Sequence, residues 1–147
     1  MAGLIGRFRY SVDHKGRLSL PAKIRKSFRG KKGARRFITT LGLDGCLFLF
    51  PSTEWDQIEK RLRQLHRFEN RARFFIRSLM ANASETELDA QGRITIPQSL
   101  LEQAHIEGEV LIIGALDRVE LWDPKTFDAY NQKSGLTYED AAQDLLL

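Results

Sequence analysis

A five-residue motif that could bind an anion occurs twice in this chain of 147 residues. Its form is Asp-x-x-Gly-Arg, at residues 13–17 and 89–93, and each copy continues with alternating apolar residues and a proline. Arginine presents a planar fork of donors that suits a phosphate group or the edge of a guanine. Aspartate accepts nearby backbone N–H groups in turns, and glycine accepts a positive φ. The motif therefore indicates a turn that presents one arginine.

The regions around the two turns differ strongly in charge. Residues 1–36 contain 12 lysines and arginines but a single acid, a net charge of +11. Residues 81–147 contain four such cations and 13 acids, a net charge of −9. A gradient of this size favours a basic end that faces a polyanion. The alternative is that the oppositely charged ends attract each other, within one chain or between chains.

Duplex DNA is the polyanion that suits the first turn, because a two-stranded ribbon fits the major groove and arginine reads guanine there. The predicted DNA-contacting residues are Arg7, Arg9, His14, Lys15, Arg17, Lys23 and Arg25. For His14, a turn residue without DNA contact is an equal alternative. The residues predicted to organise the two turns are Asp13, Gly16, Asp89, Gly92 and Arg93.

Two basic or acidic regions near the turns have more than one interpretation. The second turn, DAQGR, lacks the extra cations of the first turn, DHKGR, and is flanked by Glu85 and Glu87. A purely structural role is therefore the favoured interpretation of the second turn. Residues 29–36, RGKKGARR, form either an accessory DNA-binding loop or a solvated loop.

The repetition extends over most of the chain. An offset of 76 aligns residues 13–21 with 89–97, and an offset of 72 aligns 45–55 with 117–127. Each copy has the pattern of a strand, a turn, a second strand that forms a hairpin with the first, a short helix after a proline, and two buried strands. A unit of roughly 45–50 residues buries only a marginal core. The two copies are therefore expected to share one core and to pair their strands in a common sheet or barrel.

Helical patterns lie between the copies and at the C-terminus. Apolar residues recur at helical spacing from Trp55 onward, and Ser52 or Thr53 could cap this helix. The pattern slips near residues 68–71, which predicts two linker helices with a break there. A last amphipathic helix is predicted to begin at about Tyr138.

The cysteine and histidine residues and the absence of catalytic motifs limit the classes of function that the sequence supports. The single cysteine, Cys46, excludes an intrachain disulfide and a cysteine-based metal cage, and it is expected to be an inert core thiol. No histidine has a second histidine or cysteine at ligand spacing, and the sequence lacks a P-loop and a nucleophile elbow. We therefore expect no metal, no cofactor and no enzymatic activity. No apolar run is long enough for a signal peptide or a membrane span, so a cytoplasmic protein is the default expectation.

The doubled Asp-x-x-Gly-Arg-apolar-x-apolar-Pro motif, with a helical linker between its copies, resembles the MraZ family of bacterial transcriptional regulators. The resemblance spans nearly the whole chain. It implies an α+β, mainly β, fold of two pseudo-symmetric ββαβ repeats of the AbrB-like swapped-hairpin class, sharing one core, with a helical linker and a C-terminal helix. The expected units are a basic repeat at 7–54, a linker at 55–80 and an acidic repeat at 83–126.

The resemblance also implies a homo-oligomeric ring that binds short direct repeats in the promoter of the division and cell-wall gene cluster, expected to be its own operon. The expected partners are double-stranded DNA and further copies of the chain, at the nucleoid. The acidic C-terminal half is expected to support head-to-tail assembly. Two alternatives are a structural or protein-interaction ring and an AbrB-like antitoxin. A short helical C-terminus counts against the antitoxin, whose toxin-binding tail would be disordered.

Overall fold

The computed structural model of the chain describes residues 3–28 and 35–146. Most of the basic segment 29–36 therefore lies outside the described residues, and only its last two positions are described. The described strands are β1 (Arg7–Ser11), β2 (Arg17–Ser19), β3 (Arg36–Leu41), β4 (Leu47–Pro51), β5 (Ser84–Glu87), β6 (Arg93–Thr95), β7 (Glu109–Gly114) and β8 (Val119–Trp122). The described helices are α1 (Ala22–Lys26), α2 (Ser52–Arg63), α3 (Asn70–Ala81), α4 (Gln98–Gln103), α5 (Pro124–Lys133) and α6 (Tyr138–Leu145).

The two repeats exchange strands. Six strands form one antiparallel sheet in the order β1-β7-β8-β4-β3-β5, and β2 and β6 form a separate two-stranded ribbon. The first strand of each repeat pairs with the third strand of the other, because β1 lies beside β7 and β5 lies beside β3. The ribbon takes one strand from each repeat. The expected intertwined, pseudo-symmetric α+β fold with a shared sheet is confirmed.

The prediction that the first two strands pair with each other as a hairpin is wrong. The turn itself is present: the N–H of Asp13 donates to the carbonyl oxygen of Arg17 (3.0 Å), and Val12 bridges to Leu18. Beyond the bridge, β1 enters the large sheet and β2 enters the ribbon. Leu18 is fully buried there, in a cluster to which both repeats contribute.

Two hydrophobic clusters cover the two faces of the six-stranded sheet. The first cluster joins the ribbon, α1 and α4 to one face and draws on both repeats, as with Leu18 and Ile94. The second cluster packs α2, α3 and α5 on the opposite face. Alternate residues of β4 belong to the two clusters: Leu47 and Leu49 to the first, Phe48 and Phe50 to the second. Burial on both faces explains why this strand is a continuous apolar run.

The linker helices differ from the prediction in their boundaries. Helix α2 begins at Ser52 with Pro51 as its N-cap residue, so the prediction of Ser52 or Thr53 as the cap is wrong. The two linker helices are separated at residues 64–69, and the predicted break at 68–71 is therefore placed too late. After Leu62 the next apolar residues are no longer buried against the sheet, and a helix without packing support ends readily.

The C-terminal part contains one predicted helix and one that was not predicted. Helix α6 begins at Tyr138, as expected, with the Thr137 hydroxyl accepting the N–H of Asp140 (3.2 Å). Helix α5 was missed, although its start has a recognisable cap. The Asp123 carboxylate accepts the N–H of Thr126 (3.1 Å), and a proline occupies the first helical position.

Candidate nucleic-acid interface

The first turn holds its arginine rigidly. Oδ1 of Asp13 accepts the backbone N–H groups of Lys15 and Arg17, both at 2.9 Å. Oδ2 of Asp13 accepts the side-chain Nε–H of Arg17 at 2.7 Å. Gly16 has a φ of +78°, a conformation that glycine adopts without strain. Among the described residues, the remaining four N–H donors of the Arg17 guanidinium make no hydrogen bond, so they are open to a ligand.

The Asp13 carboxylate is charged at any physiological pH. The backbone N–H of Arg17 does most to lower its pKa, and partial burial opposes this effect. The Arg17 guanidinium and the N–H of Lys15 lower the pKa further, so that it falls to about 2. The carboxylate thus stays an acceptor that fixes both the turn and the arginine. Its own negative charge is directed at Arg17, which reduces its repulsion of an incoming phosphate.

The second turn repeats this geometry bond for bond. Oδ1 of Asp89 accepts the N–H groups of Gln91 (2.8 Å) and Arg93 (3.0 Å), and Oδ2 accepts the Nε–H of Arg93 (2.8 Å). Gly92 has a φ of +76°. The N–H and guanidinium of Arg93 lower the pKa of Asp89 as well. Every residue predicted to organise the turns therefore lies in a turn of the expected kind.

The ribbon brings the two turns together. Arg17 lies opposite Thr95, and Arg93 lies opposite Ser19, in antiparallel register. The residue between them on each strand is fully buried, so both arginines project from the outer face of the ribbon. Diagonal neighbours in such a pair lie roughly 7–8 Å apart. This shared face is not among the features predicted from the sequence, although the identical alternation after each turn is a pattern that indicates it.

Two further arginines of the first repeat lie at the second turn. The Nε–H of Arg25 donates to the carbonyl oxygen of Leu20 (3.1 Å), and its guanidinium lies against Gly92. Nη2 of Arg35 donates to the carbonyl oxygens of Leu88 (2.5 Å) and Asp89 (3.0 Å). The sequence predicts Arg25 on a phosphate-contacting surface that continues from the first turn, and it includes Arg35 only in a basic loop. Neither placement can be read from the sequence without knowledge of the strand exchange.

The other predicted DNA-contacting residues divide into two groups. His14, Lys15 and Lys23 are exposed on the first turn and α1, on the side of the sheet that carries the ribbon. Arg7 and Arg9 alternate with residues of the ribbon-side cluster, and they therefore project from the opposite face of the sheet. The structure does not bring these last two residues to the ribbon.

Arg7 and Arg9 contact residues of α5 and β7 and not the ribbon. The guanidinium of Arg7 lies 5.0 Å from the centre of the Phe127 ring, a cation–π contact. Arg9 forms an ion pair with Glu109 (3.1 Å). Through these contacts the two side chains attach β1 to α5 and to β7.

Ion pairs between the repeats follow the charge gradient of the sequence. Arg9 of β1 pairs with Glu109 of β7, and at the equivalent place Arg36 of β3 pairs with Glu85 of β5. In both pairs the cation comes from the first repeat and the acid from the second. Attraction between the two ends within one chain, the alternative considered for the gradient, therefore accounts for part of it.

The remaining candidate groups do not form a second chemical site. Cys46 is buried, and burial raises the pKa of its thiol to about 12, as expected of an inert core cysteine. The described residues include no group of three or more histidine, cysteine, aspartate or glutamate side chains arranged to hold a metal ion. Over the same part of the chain, no helix has the length and apolar character needed to cross a membrane.

Comparison with known proteins identifies the family. The family model described as "MraZ protein, putative antitoxin-like" matches residues 4–78 and again 79–147. The "Transcriptional regulator MraZ" of Natranaerobius thermophilus is 40% identical over 97% of this chain and 96% of its own length. The protein of the same name from Alkaliphilus oremlandii is 43% identical over 96% and 95%, and that from Thermoanaerobacter pseudethanolicus is 42% identical over 97% and 96%. The chain therefore belongs to the MraZ family, a family of transcriptional regulators and not of enzymes.

Proposed function

We propose that this chain is a sequence-specific DNA-binding transcriptional regulator, acting in the cytoplasm at the nucleoid on short direct repeats in the promoter of its own division and cell-wall operon. The observation that carries the proposal is the outer face of the β2–β6 ribbon. Two arginines, Arg17 and Arg93, are fixed there by aspartates, on an element narrow enough for the major groove. The relatives named above are themselves called transcriptional regulators.

A single ribbon would bind DNA weakly. If two or three phosphates are neutralised, most of that electrostatic affinity is lost at physiological salt. Several ribbons held on one assembly would bind successive repeats of one duplex at a high effective concentration. The function therefore requires a multimer, and we propose a closed homo-oligomeric ring built by head-to-tail contacts.

The chain has two unlike exposed surfaces that suit such a contact. One, the basic aromatic surface on and before α3, combines exposed aromatic side chains with arginines: Phe68, Arg71, Phe74, Phe75 and Arg77. The other, the acidic helix surface at α6, combines exposed apolar side chains with acids: Leu136, Tyr138, Glu139, Asp140 and Leu145. Opposite charge would orient a second copy, and burial of the apolar side chains would supply most of the affinity.

The test of the function is binding to the region upstream of the chain's own gene. A footprint should show protected repeats that recur about every 10–10.5 base pairs, one turn of B-DNA. Lengthening the spacers by about five base pairs, half of that turn, should weaken binding, because ribbons on one face could no longer engage together. Equal affinity for both spacings would contradict the multivalent ring and leave binding by single ribbons.

A structural ring without DNA binding is the second candidate, and the inter-repeat ion pairs favour it, because they give part of the basic charge a purely structural use. The dependence of duplex affinity on salt concentration distinguishes the two functions. A DNA-binding protein loses duplex affinity steeply as salt rises, whereas a structural ring binds no duplex at any salt concentration.

A further inference from the structure

We infer that the second turn is itself a phosphate-binding site for duplex DNA, and that Arg25 and Arg35 of the first repeat supply the cations that its own sequence lacks. The inference rests on the proposed function, since it adds residues to the same interface. It replaces the purely structural role that the sequence favours for this turn.

The strand exchange gives the two turns different neighbours at equivalent positions. At the first turn, the N–H of Val12 donates to the carbonyl oxygen of Gly108 (2.6 Å). At the second, the N–H of Leu88 donates to the carbonyl oxygen of Arg35 (2.8 Å). A glycine thus lies beside the turn that has its own cations, and an arginine lies beside the turn that has none.

The helix after each ribbon strand shows the same exchange. Arg25 of α1 and Leu101 of α4 are equivalent at the repeat offset of 76. Leu101 is buried, whereas Arg25 is exposed and lies over the second turn. A Cβ built on Gly92 would be 3.0 Å from Nη1 of Arg25, so the guanidinium is in contact with that turn.

The positive charge of both arginines is uncompensated. Their hydrogen-bond acceptors are the carbonyl oxygens of Leu20, Leu88 and Asp89, which carry no formal charge. No carboxylate of the described residues lies within salt-bridge distance of either guanidinium. The carbonyl groups therefore hold two oriented cations at the second turn, which is the arrangement that a phosphate oxygen requires.

The two turns consequently present equal numbers of basic side chains by different routes. The first turn has His14, Lys15 and Arg17 from its own sequence. The second has Arg93 from its own sequence and Arg25 and Arg35 from the other repeat. Because one ribbon joins the turns, a duplex lying across its outer face would contact both sets.

The experiment measures duplex binding by the full-length protein between about 50 and 200 mM salt, the range over which phosphate contacts dominate. The probe is a fluorescent duplex of the chain's own upstream region. The variant Arg25→Gln/Arg35→Gln is compared with Lys125→Gln/Lys133→Gln, which removes the same charge from exposed positions on α5. The arginine variant should bind at least about 10-fold more weakly, and the salt slope should fall by about 0.9 for each lost phosphate contact. The lysine variant should keep the wild-type slope.

A second variant tests whether the two routes are equivalent. Gln91→Lys, added to the arginine variant, places a lysine at the position that Lys15 holds in the first turn, and it should restore part of the affinity and slope. An arginine variant that matches the lysine variant in affinity and slope would overturn the inference, as would a loss of thermal stability with an unchanged slope. If the wild-type protein bound no duplex at all, both the proposed function and this inference would be wrong.

Discussion

The two Asp-x-x-Gly-Arg turns have the same internal hydrogen bonds but different charged residues around them. Asp13 and Asp89 make the same three hydrogen bonds, and Arg17 and Arg93 lie in the same antiparallel ribbon. The first turn carries its own cations, and the second is approached by arginines from the other repeat. Five residues thus determine the geometry of such a turn, whereas residues distant in sequence determine its electrostatic environment.

The same comparison changes the meaning of the charge gradient. Along the sequence, the first repeat is basic and the second acidic. In space, Arg36 neutralises Glu85, one of the acids that flank the second turn in the sequence, and Glu109 neutralises Arg9. The basic and acidic halves of the sequence therefore interlock, and they do not form two separate charged ends.

The largest expected effect is the loss of DNA binding by Arg17→Ala. Each engaged ribbon should lose about 1–3 kcal/mol of binding free energy, and the loss multiplies when several ribbons bind one duplex. Assembly and folding should be unchanged, because the side chain projects from the outer face and is partly exposed. Fluorescence anisotropy and sedimentation measure the two properties. Arg17→Lys, which keeps the charge without the planar fork, should be intermediate; an unchanged isotherm for Arg17→Ala would contradict the site.

Substitution of the two turn glycines by alanine should lower the free energy of unfolding by different amounts. Both residues have positive φ, so alanine costs about 1–2 kcal/mol at either position. At Gly16 the new Cβ would lie 2.4 Å from the carbonyl oxygen of Ile96, a backbone atom of the ribbon. At Gly92 it would meet the flexible end of Arg25. Urea denaturation should show Gly16→Ala to be the less stable variant, and equal free energies of unfolding would refute this difference.

Acid should weaken both turns. The folded-state pKa of Asp13 is lowered from 3.8 to about 2, and that of Asp89 is also lowered. The unfolded chain therefore binds more protons in acid, so this contribution is complete above about pH 4 and is lost as the pH falls toward 2. The free energy of unfolding between pH 2 and about 6 should depend less on pH in Asp13→Asn than in the wild type. A steeper dependence in that variant would show that the sign is wrong.

The smallest expected effect comes from the ion pair between the repeats. Arg9 and Glu109 are both more than half exposed, and such a pair contributes about 0–1 kcal/mol. Arg9→Glu should destabilise the chain slightly through repulsion of Glu109, and adding Glu109→Arg should restore the free energy of unfolding. A double variant as unstable as the single one would indicate that the pair has no role in joining the repeats.

The repeat, its turns and its short helices could be predicted because each depends on a local pattern. Asp13, Gly16 and Pro21 specify a turn and a helix start through interactions that reach only a few residues. The shared core followed from size alone, since neither copy could bury enough apolar surface. The start of α6 at Tyr138 followed from the amphipathic pattern of the residues after it, which is also local.

The pairing of β1 with β7, and hence the surroundings of the site, could not be predicted in the same way. Nothing within residues 7–11 distinguishes a partner five residues away from one about a hundred residues away, because both place the same side chains in a core. Alternation places Arg7 and Arg9 on one face of the strand, but it does not say which face of the sheet the ribbon covers, so their prediction as DNA contacts lacks this information. Arg35 was missed because its contacts with Leu88 and Asp89 depend on the exchange.

The exchange of strands also controls when this protein can fold during its synthesis. The partners of β1 (Arg7–Ser11) are residues 109–113, so about a hundred residues must be made before the first strand can pair. At roughly 5–20 residues per second, the ribosome needs about 5–20 s to do so. During that time Phe8 and Tyr10 have no sheet to cover them, and the nascent chain exposes an unpaired strand. The strand exchange therefore makes folding of the first repeat wait for synthesis of the second.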